Sequence, residues 1–298
     1  MAAATVTAPY LLASSATAVA RPTSHQPAGR RLNQQKYLGV FEPDEELSYK
    51  QVEAFGVAVG RQPDIVLAYA DWNQPFPASF ARTLLEHGAE PLIQLEPTGA
   101  RMSAVAAGHC DGYLRSYARQ VRAFGHPVIL SFAPEANGNW YNWGWTHTSP
   151  ATWIAAWRHV VTVMRQQGAT NITWLWTLNI KFPGSGPIRD YWPGAAYVNW
   201  VGIDGYYVRP HATFGSVFER TLPSGRSLAC RCCYRRPASA RSRARPGSYL
   251  ACSPPSRAII CSAWFGSTWR SIGVVTIRTG DSKATPLQWL PSGALWRA

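Results

Sequence analysis

From Tyr37 onward, short apolar runs alternate with longer segments of helical period. The runs are YLGVF (37–41), DIVLAY (64–69), PLIQLE (91–96), PVILSF (127–132), ITWLWTL (172–178) and WVGIDGYY (200–207). Between them SYKQVEAFGVAVG, PASFARTLLEHG, CDGYLRSYARQVRAFG and SPATWIAAWRHVVTVMRQQG space apolar residues three and four apart, as helices with one buried face do. The last of these starts with Ser149 as N-cap and Pro150 at the first helical position, and stops at Gly168. Strands buried on both faces and alternating with helices predict a parallel sheet. Six such units by residue 207, in a chain of 298, leave room for two more. The expected fold is therefore α/β, an eight-fold (β/α)8 TIM barrel. A doubly wound open sheet is the alternative, but the first strand runs into FEPDEELS, which holds no glycine to cradle a phosphate.

In such a barrel the chemistry sits where the strands end. The first strand ends at Phe41-Glu42-Pro43 and the second runs into Tyr69-Ala70-Asp71-Trp72-Asn73. The third ends at Glu96, the fourth at Pro134-Glu135-Ala136-Asn137, the fifth at Asn179 and the sixth at Asp204-Gly205-Tyr206-Tyr207. Acids, amides and aromatic rings on one rim suit a sugar: rings stack on the apolar faces of pyranoses while acids and amides take the hydroxyls. Glu135 follows a fully apolar strand, where desolvation raises a carboxyl pKa as a general acid requires. Trp140, Trp143 and Trp145 crowd six positions just beyond it and are candidates for stacking on sugar rings. Trp174 and Trp176, two apart on the fifth strand, should share a face, taken here as the inward one. Glu96 and Asp71 read as hydrogen-bonding partners on the rim, and Tyr206 as a group that orients a nucleophile.

Charge changes the picture only at one end. The formal net charge is +13, yet residues 220–298 hold 13 of the 29 basic residues and one of the 16 acids, Asp281. The rest of the chain is close to neutral. Five of the six cysteines also fall there. The chain thus divides into a leader and linker (1–36), a barrel (37–220) and a basic Cys/Arg/Pro-rich tail (221–298). No apolar run reaches the roughly 18 residues of a membrane helix, so no membrane partner is expected. The leader is Ala/Ser/Thr-rich with Ala-Val-Ala at 18–20, which suits signal peptidase and a secreted protein, although basic residues before the apolar stretch are missing. Cys230-Arg-Cys232-Cys233 has no histidine at ligand spacing, so neither metal nor other cofactor is expected. The expected partner is a polysaccharide met by a monomer. Nucleic acid enters only on the competing reading of the tail as a genuine polyanion binder.

The stretch FAPEANGNWYNWGW (132–145) resembles the fourth-strand signature of glycoside hydrolase family 26, the β-mannanase family, which usually reads His-Glu-Met-Asn-Gly and then two tryptophans. The resemblance covers 37–218, takes in YADWNQPFP and WVGIDGYY, and is to a distant, mostly bacterial branch. It implies the barrel, a retaining endo-β-glycanase, Glu135 as acid/base, and Asn137 and Trp140 lining the cleft. Trp143, Trp72, Glu96, Trp176 and Tyr206 complete the expected substrate-binding set. Pro134 stands where the family has histidine, which leaves β-mannan, β-1,3-xylan and mixed-linkage glucan all open. A non-catalytic carbohydrate-binding barrel is the alternative function.

Retention requires a second carboxylate about 5–5.5 Å from the first. The family places it at the end of the seventh strand, and no glutamate follows Glu219. The tail has neither helical nor strand period. Shifting its reading frame changes that. Codons built from the third base of one residue and the first two of the next permit Val-Pro-Val-Leu-Leu-Ser-Glu-Thr-Gly-Val from residues 229–239. That is a strand whose glutamate is spelled across Arg235 and Arg236. The same shift over 263–292 permits LVWFDVAQHRGSYHQDWRLEGDPAAVAAF, an eighth strand and a final helix. The expectation is a frame slip near 221–223 that removes the nucleophile. On this reading the last two β/α units are lost or disordered as written.

Overall fold

A computed structural model describes residues 37–41, 49–207 and 211–221, together with the backbone of 258–265 and 275–278. These residues fall within one compact unit, Asn33–Ala298. The leader at 1–36, Glu42 and Pro43 at the expected end of the first strand, and the Arg235–Arg236 position lie outside the described residues.

Strands and helices alternate where the period changes. β1 (Gly39–Val40), β2 (Ile65–Asp71), β3 (Glu90–Glu96), β4 (Val128–Phe132), β5 (Ile172–Asn179) and β6 (Trp200–Tyr207) are parallel neighbours in chain order. The connections carry α1 (Lys50–Val59), α2 (Ala78–Glu86), α3 (Met102–Ala106), α4 (Asp111–Phe124) and α5 (Pro150–Gln166), and α6 (Phe214–Phe218) follows β6. The punctuation is local. Ser149 caps α5 by accepting from the Thr152 N–H at 3.2 Å, and Gly60 and Gly125 close α1 and α4 in the left-handed conformation that glycine adopts cheaply.

Beyond β6 two strands are described, but neither continues as a β/α unit among the described residues. β7 (Ala258–Phe265) adds to β6 in parallel, and β8 (Val275–Arg278) pairs with β7 antiparallel. The apolar run AIICSAWF supplies β7, a strand that the tail's lack of period concealed. An antiparallel return needs no crossover helix, so this end does not continue the β/α repeat. Strand order runs from β1 to β8, with those two at opposite ends of the sheet.

Period two divides the strands between two packed faces. The helix-facing layer takes Val66, Ala68, Ile93, Leu95, Leu130, Phe132, Trp174, Trp176 and Val201, packed on Leu114, Tyr117, Val121, Trp153, Trp157 and Val160. The inner face takes Tyr37, Ile65, Leu67, Leu92, Ile129, Leu175 and Trp200. Trp174 and Trp176 therefore share a face as expected, but it is the helix face. Trp174 meets Trp157 of α5 at 6.2 Å, and Trp176 meets Trp192 edge-on at 5.1 Å. Register is the physical reason: Trp174 pairs with Leu130 and Trp176 with Val201, both helix-facing, while Leu175 pairs with Trp200 on the inner face.

Candidate functional site

The inner face changes character along the strands. Its apolar residues occupy the start of each strand, and continuing in steps of two gives Tyr69 and Asp71 on β2, Gln94 and Glu96 on β3, and Ser131 on β4. β5 contributes Thr177 and Asn179, and β6 contributes Asp204 and Tyr206. Parallel register lines these positions up, pairing Asp71 with Glu96, Gln94 with Ser131 and Asn179 with Asp204. One end of the inner face is thus an oil-like plug and the other a polar rim.

Glu135 is delivered to that rim by a sharp exit from β4. Ala133 (φ 45°) and Glu135 (φ 55°) are both left-handed, a conformation costing roughly 1–2 kcal/mol each for residues with a side chain. The neighbours hold it there: Ala133 N–H donates to the Leu95 carbonyl at 3.1 Å and Glu135 N–H to the Thr177 carbonyl at 3.0 Å. Trp143, buried, donates its indole N–H to the Pro134 carbonyl at 2.7 Å and stacks on Tyr141 with ring centres 4.2 Å apart. Asn137, also buried, accepts from the Asn179 N–H and donates to its carbonyl, both at 2.9 Å, stitching the loop to β5.

Glu135 is 5% exposed. Its Oε1 accepts from Asn179 Nδ2 at 2.6 Å and from the Tyr206 hydroxyl at 3.1 Å, and its Oε2 from Trp140 Nε1 at 3.0 Å. Asp204 makes a further side-chain hydrogen bond with it. Burial pushes the Glu135 pKa above the ordinary carboxylate range, and the hydrogen bonds donated by Asn179, Tyr206 and Trp140, with the contact to Asp204, only partly oppose that. Glu96 is raised too, mainly by burial; the Tyr141 hydroxyl, donating at 3.2 Å, opposes this, and Asp71 and Glu135 add to it. Tyr69 and Tyr206 are held strongly neutral by burial and by these acids. A buried carboxyl that keeps its proton at higher pH than usual, fixed by three donors, can protonate a leaving group.

The expected site residues separate into those meeting at Glu135 and those supporting it. Tyr206 and Trp140 touch Glu135 directly, and Glu96 lies near enough to influence it. Trp140 is 47% exposed, with one end on the carboxylate and its ring against Phe182, centres 5.7 Å apart. Trp143, Asn137 and Trp176 are instead buried, and Trp72 nearly so, so that they position the loop and its underlay and present no ring face to a ligand. Trp72 packs edge-on to Tyr113 at 4.7 Å and against Phe132 of the helix-facing layer. Three further side chains meet the rim acids: Asn179 and Asp204 at Glu135, and Tyr141 at Glu96. Asn179 and Asp204 stood at strand ends without an assigned role, and Tyr141 was hidden among the tryptophans. The signal for Asp204 was its spacing of two from Tyr206.

Among the described residues no cluster of three His, Cys, Asp or Glu could hold a metal ion, and no helix is long and apolar enough to cross a membrane.

Three comparisons bear on this rim. The sequence model of glycosyl hydrolase family 26 matches residues 108–221, which include the β4 loop, β5 and β6. Endoglucanase H of Acetivibrio thermocellus is 31% identical over 179 residues, covering 58% of this chain and 20% of that protein. A mannan endo-1,4-beta-mannosidase of Bacillus subtilis is 26% identical over 188 residues, covering 56% of this chain and 49% of that protein. The chain thus spans at most about half the length of these relatives. Among solved structures, a beta-mannanase from a symbiotic protist of the termite Reticulitermes speratus aligns with a TM-score of 0.47 and 18% identity, over 60% of this chain and 67% of that one.

Proposed function

We propose that the chain, whose residues 108–221 match the model of glycosyl hydrolase family 26, derives from a retaining endo-β-glycanase of that family in which Glu135 is the acid/base. The observation that carries the reading is the environment of one carboxyl. Glu135 is buried, its pKa is pushed up by that burial, and both oxygens are held by Trp140, Asn179 and Tyr206. In a retaining hydrolysis Glu135 gives its proton to the glycosidic oxygen as a second carboxylate attacks the anomeric carbon. It then takes a proton from the water that releases the glycosyl group. Asn179 and Trp140 keep the carboxyl aimed through both steps. The relatives named for glucan and mannan cleavage support a β-linked backbone as substrate. Export, supported by the leader, would place the enzyme where such polysaccharides are found.

The partner carboxylate belongs to the same proposal. No glutamate follows Glu219, and the frame-shifted reading places one across Arg235 and Arg236. The chain as written would then lack its nucleophile and hydrolyse no β-glycan, because a displacement without the attacking group loses several orders of magnitude in rate.

The test has two arms. Resequencing the gene across residues 215–240 checks the frame directly. The chain as written and the frame-restored chain are then assayed for reducing ends on β-mannan, mixed-linkage β-glucan and β-1,3-xylan. The expected outcome is turnover of at least one of these by the restored chain only. Glu135→Gln in the restored chain should reduce turnover by roughly 10²–10⁴-fold, the worth of a general acid–base group. Hydrolysis by the chain as written would sink the lost-nucleophile reading, and a restored chain inactive on all three would sink the glycanase reading.

A further inference from the structure

Four large apolar side chains are exposed among the described residues, and two of them, Trp140 and Trp145, lie on the one loop that carries Glu135. Exposed apolar area rimmed by polar groups is where a ligand can dock. Each has its N–H turned inward to a fixed acceptor: Trp140 to Glu135 Oε2 at 3.0 Å, and Trp145 to the Gly184 carbonyl at 3.1 Å. Trp145 is 37% exposed, while the Trp140 ring also stacks on Phe182, centres 5.7 Å apart.

Two glycines make room for these rings. A Cβ at Gly138 would sit 2.4 Å from the Trp140 ring, and one at Gly186 would sit 2.5 Å from Trp145 Cγ. The backbone ties the same two segments together: Gly186 N–H donates to the Asn137 carbonyl at 2.8 Å, and Trp145 N–H to the Gly138 carbonyl at 3.0 Å. Both tryptophans therefore flank Gly138 on a stiff double loop, Trp140 toward Glu135 and Trp145 on the side of the 184–186 turn.

We infer that Trp145 is the platform of a second, outer sugar subsite, taking the apolar face of the next pyranose along a β-linked chain beyond the unit at Trp140. The inference rests on the glycan-cleaving reading of the rim. A ring whose polar edge is already satisfied offers its π face at little entropic cost, which is what stacking on a sugar needs. A subsite of this kind contributes to long chains and nothing to short ones.

The experiment is calorimetric titration of the full chain with β-1,4-linked manno- and gluco-oligosaccharides of three and six units, for wild type, Trp145→Ala and Trp145→Phe. Trp145→Ala should bind the six-unit ligand about threefold to tenfold more weakly, as the loss of one aromatic stack implies, and the three-unit ligand unchanged. Trp145→Phe, which keeps a ring but not the N–H, should retain most of the six-unit affinity. Equal six-unit affinity in Trp145→Ala overturns the inference. So does an equal loss on both lengths, which would mean that the loop had merely loosened around Trp140. If wild type binds neither length, the reading of the rim as a glycan site falls first.

Discussion

Two layers of this molecule are equally buried and opposite in chemistry. Between sheet and helices, Trp153, Trp157 and Trp174 are fully enclosed, Trp153 and Trp157 stacking at 5.2 Å. That layer tolerates polar loose ends: Trp153 Nε1, Trp176 Nε1 and the Tyr117 hydroxyl find no hydrogen-bond partner among the described residues. On the rim, Glu135 is just as enclosed, yet both its oxygens are held. Burial stabilises the fold in the first layer. In the second it opposes ionisation, so it spends stability to keep a proton in place. The largest expected effect tests the first half of that contrast. Trp157→Ala removes an indole packed on Phe132, Trp153 and Trp174, and should lower unfolding free energy by about 3–5 kcal/mol in urea denaturation. A loss below about 1.5 kcal/mol would show that the layer is not close-packed.

The contrast was only partly legible in the sequence. Helix boundaries were, because Ser149-Pro150 and the glycines at 60 and 125 punctuate them. The acid at the exit of β4 was legible too, since Glu135 follows five buried strand residues. The phase of β5 is opposite to the one expected. In ITWLWTLN the phase of Ile172, Trp174 and Trp176 is wholly apolar, and large aromatics favour the inward assignment of Trp174 and Trp176. The polar residues told otherwise: Thr177 and Asn179 share the phase of Leu175, and a polar rim can only grow from the inner face. The Thr177 hydroxyl meets that of Ser131 at 2.8 Å, across the strand pair. Nor could Trp143 be told from Trp140 by type or spacing. Which indole is a buried prop and which a platform depends on whether its N–H reaches the Pro134 carbonyl or the Glu135 carboxylate.

An intermediate effect sharpens the second half of the contrast. Burial raises the Glu135 pKa in the folded chain. A carboxyl raised in this way binds its proton more tightly folded than unfolded. Its contribution to stability is whole below the ordinary carboxylate pKa and is lost as pH climbs through the raised value. Glu135→Gln does not titrate. The stability of the wild type relative to this variant should therefore fall between acid and neutral pH, measured as the difference in thermal midpoints at matched ionic strength. Asp204 hydrogen-bonds the group, and Glu96, Tyr69, Tyr141 and Tyr206 face it from other elements; all remain in both proteins but lose their interaction with Glu135 in the variant, so the gap reads Glu135 together with these couplings. A gap that widens in favour of wild type with rising pH would mean that hydrogen bonds, not burial, govern Glu135.

The smallest effect lies where the two layers meet, at Ala133. Its backbone is left-handed, φ 45°, and its methyl is fully buried in the helix-facing layer. Ala133→Gly relieves conformational strain of about 1–2 kcal/mol, while emptying a methyl-sized space in a packed core costs on the order of 1 kcal/mol. The two terms nearly cancel, so the expected change in unfolding free energy lies within about 1 kcal/mol of zero, read from denaturant midpoints at constant slope. Its sign is informative. A gain says that residue 133 belongs to the rim, where strain is held to aim Glu135; catalysis in the frame-restored chain should then weaken as the turn relaxes. A loss says that the methyl is a core group, and that Glu135 owes its aim to the Thr177, Asn179 and Trp140 contacts instead.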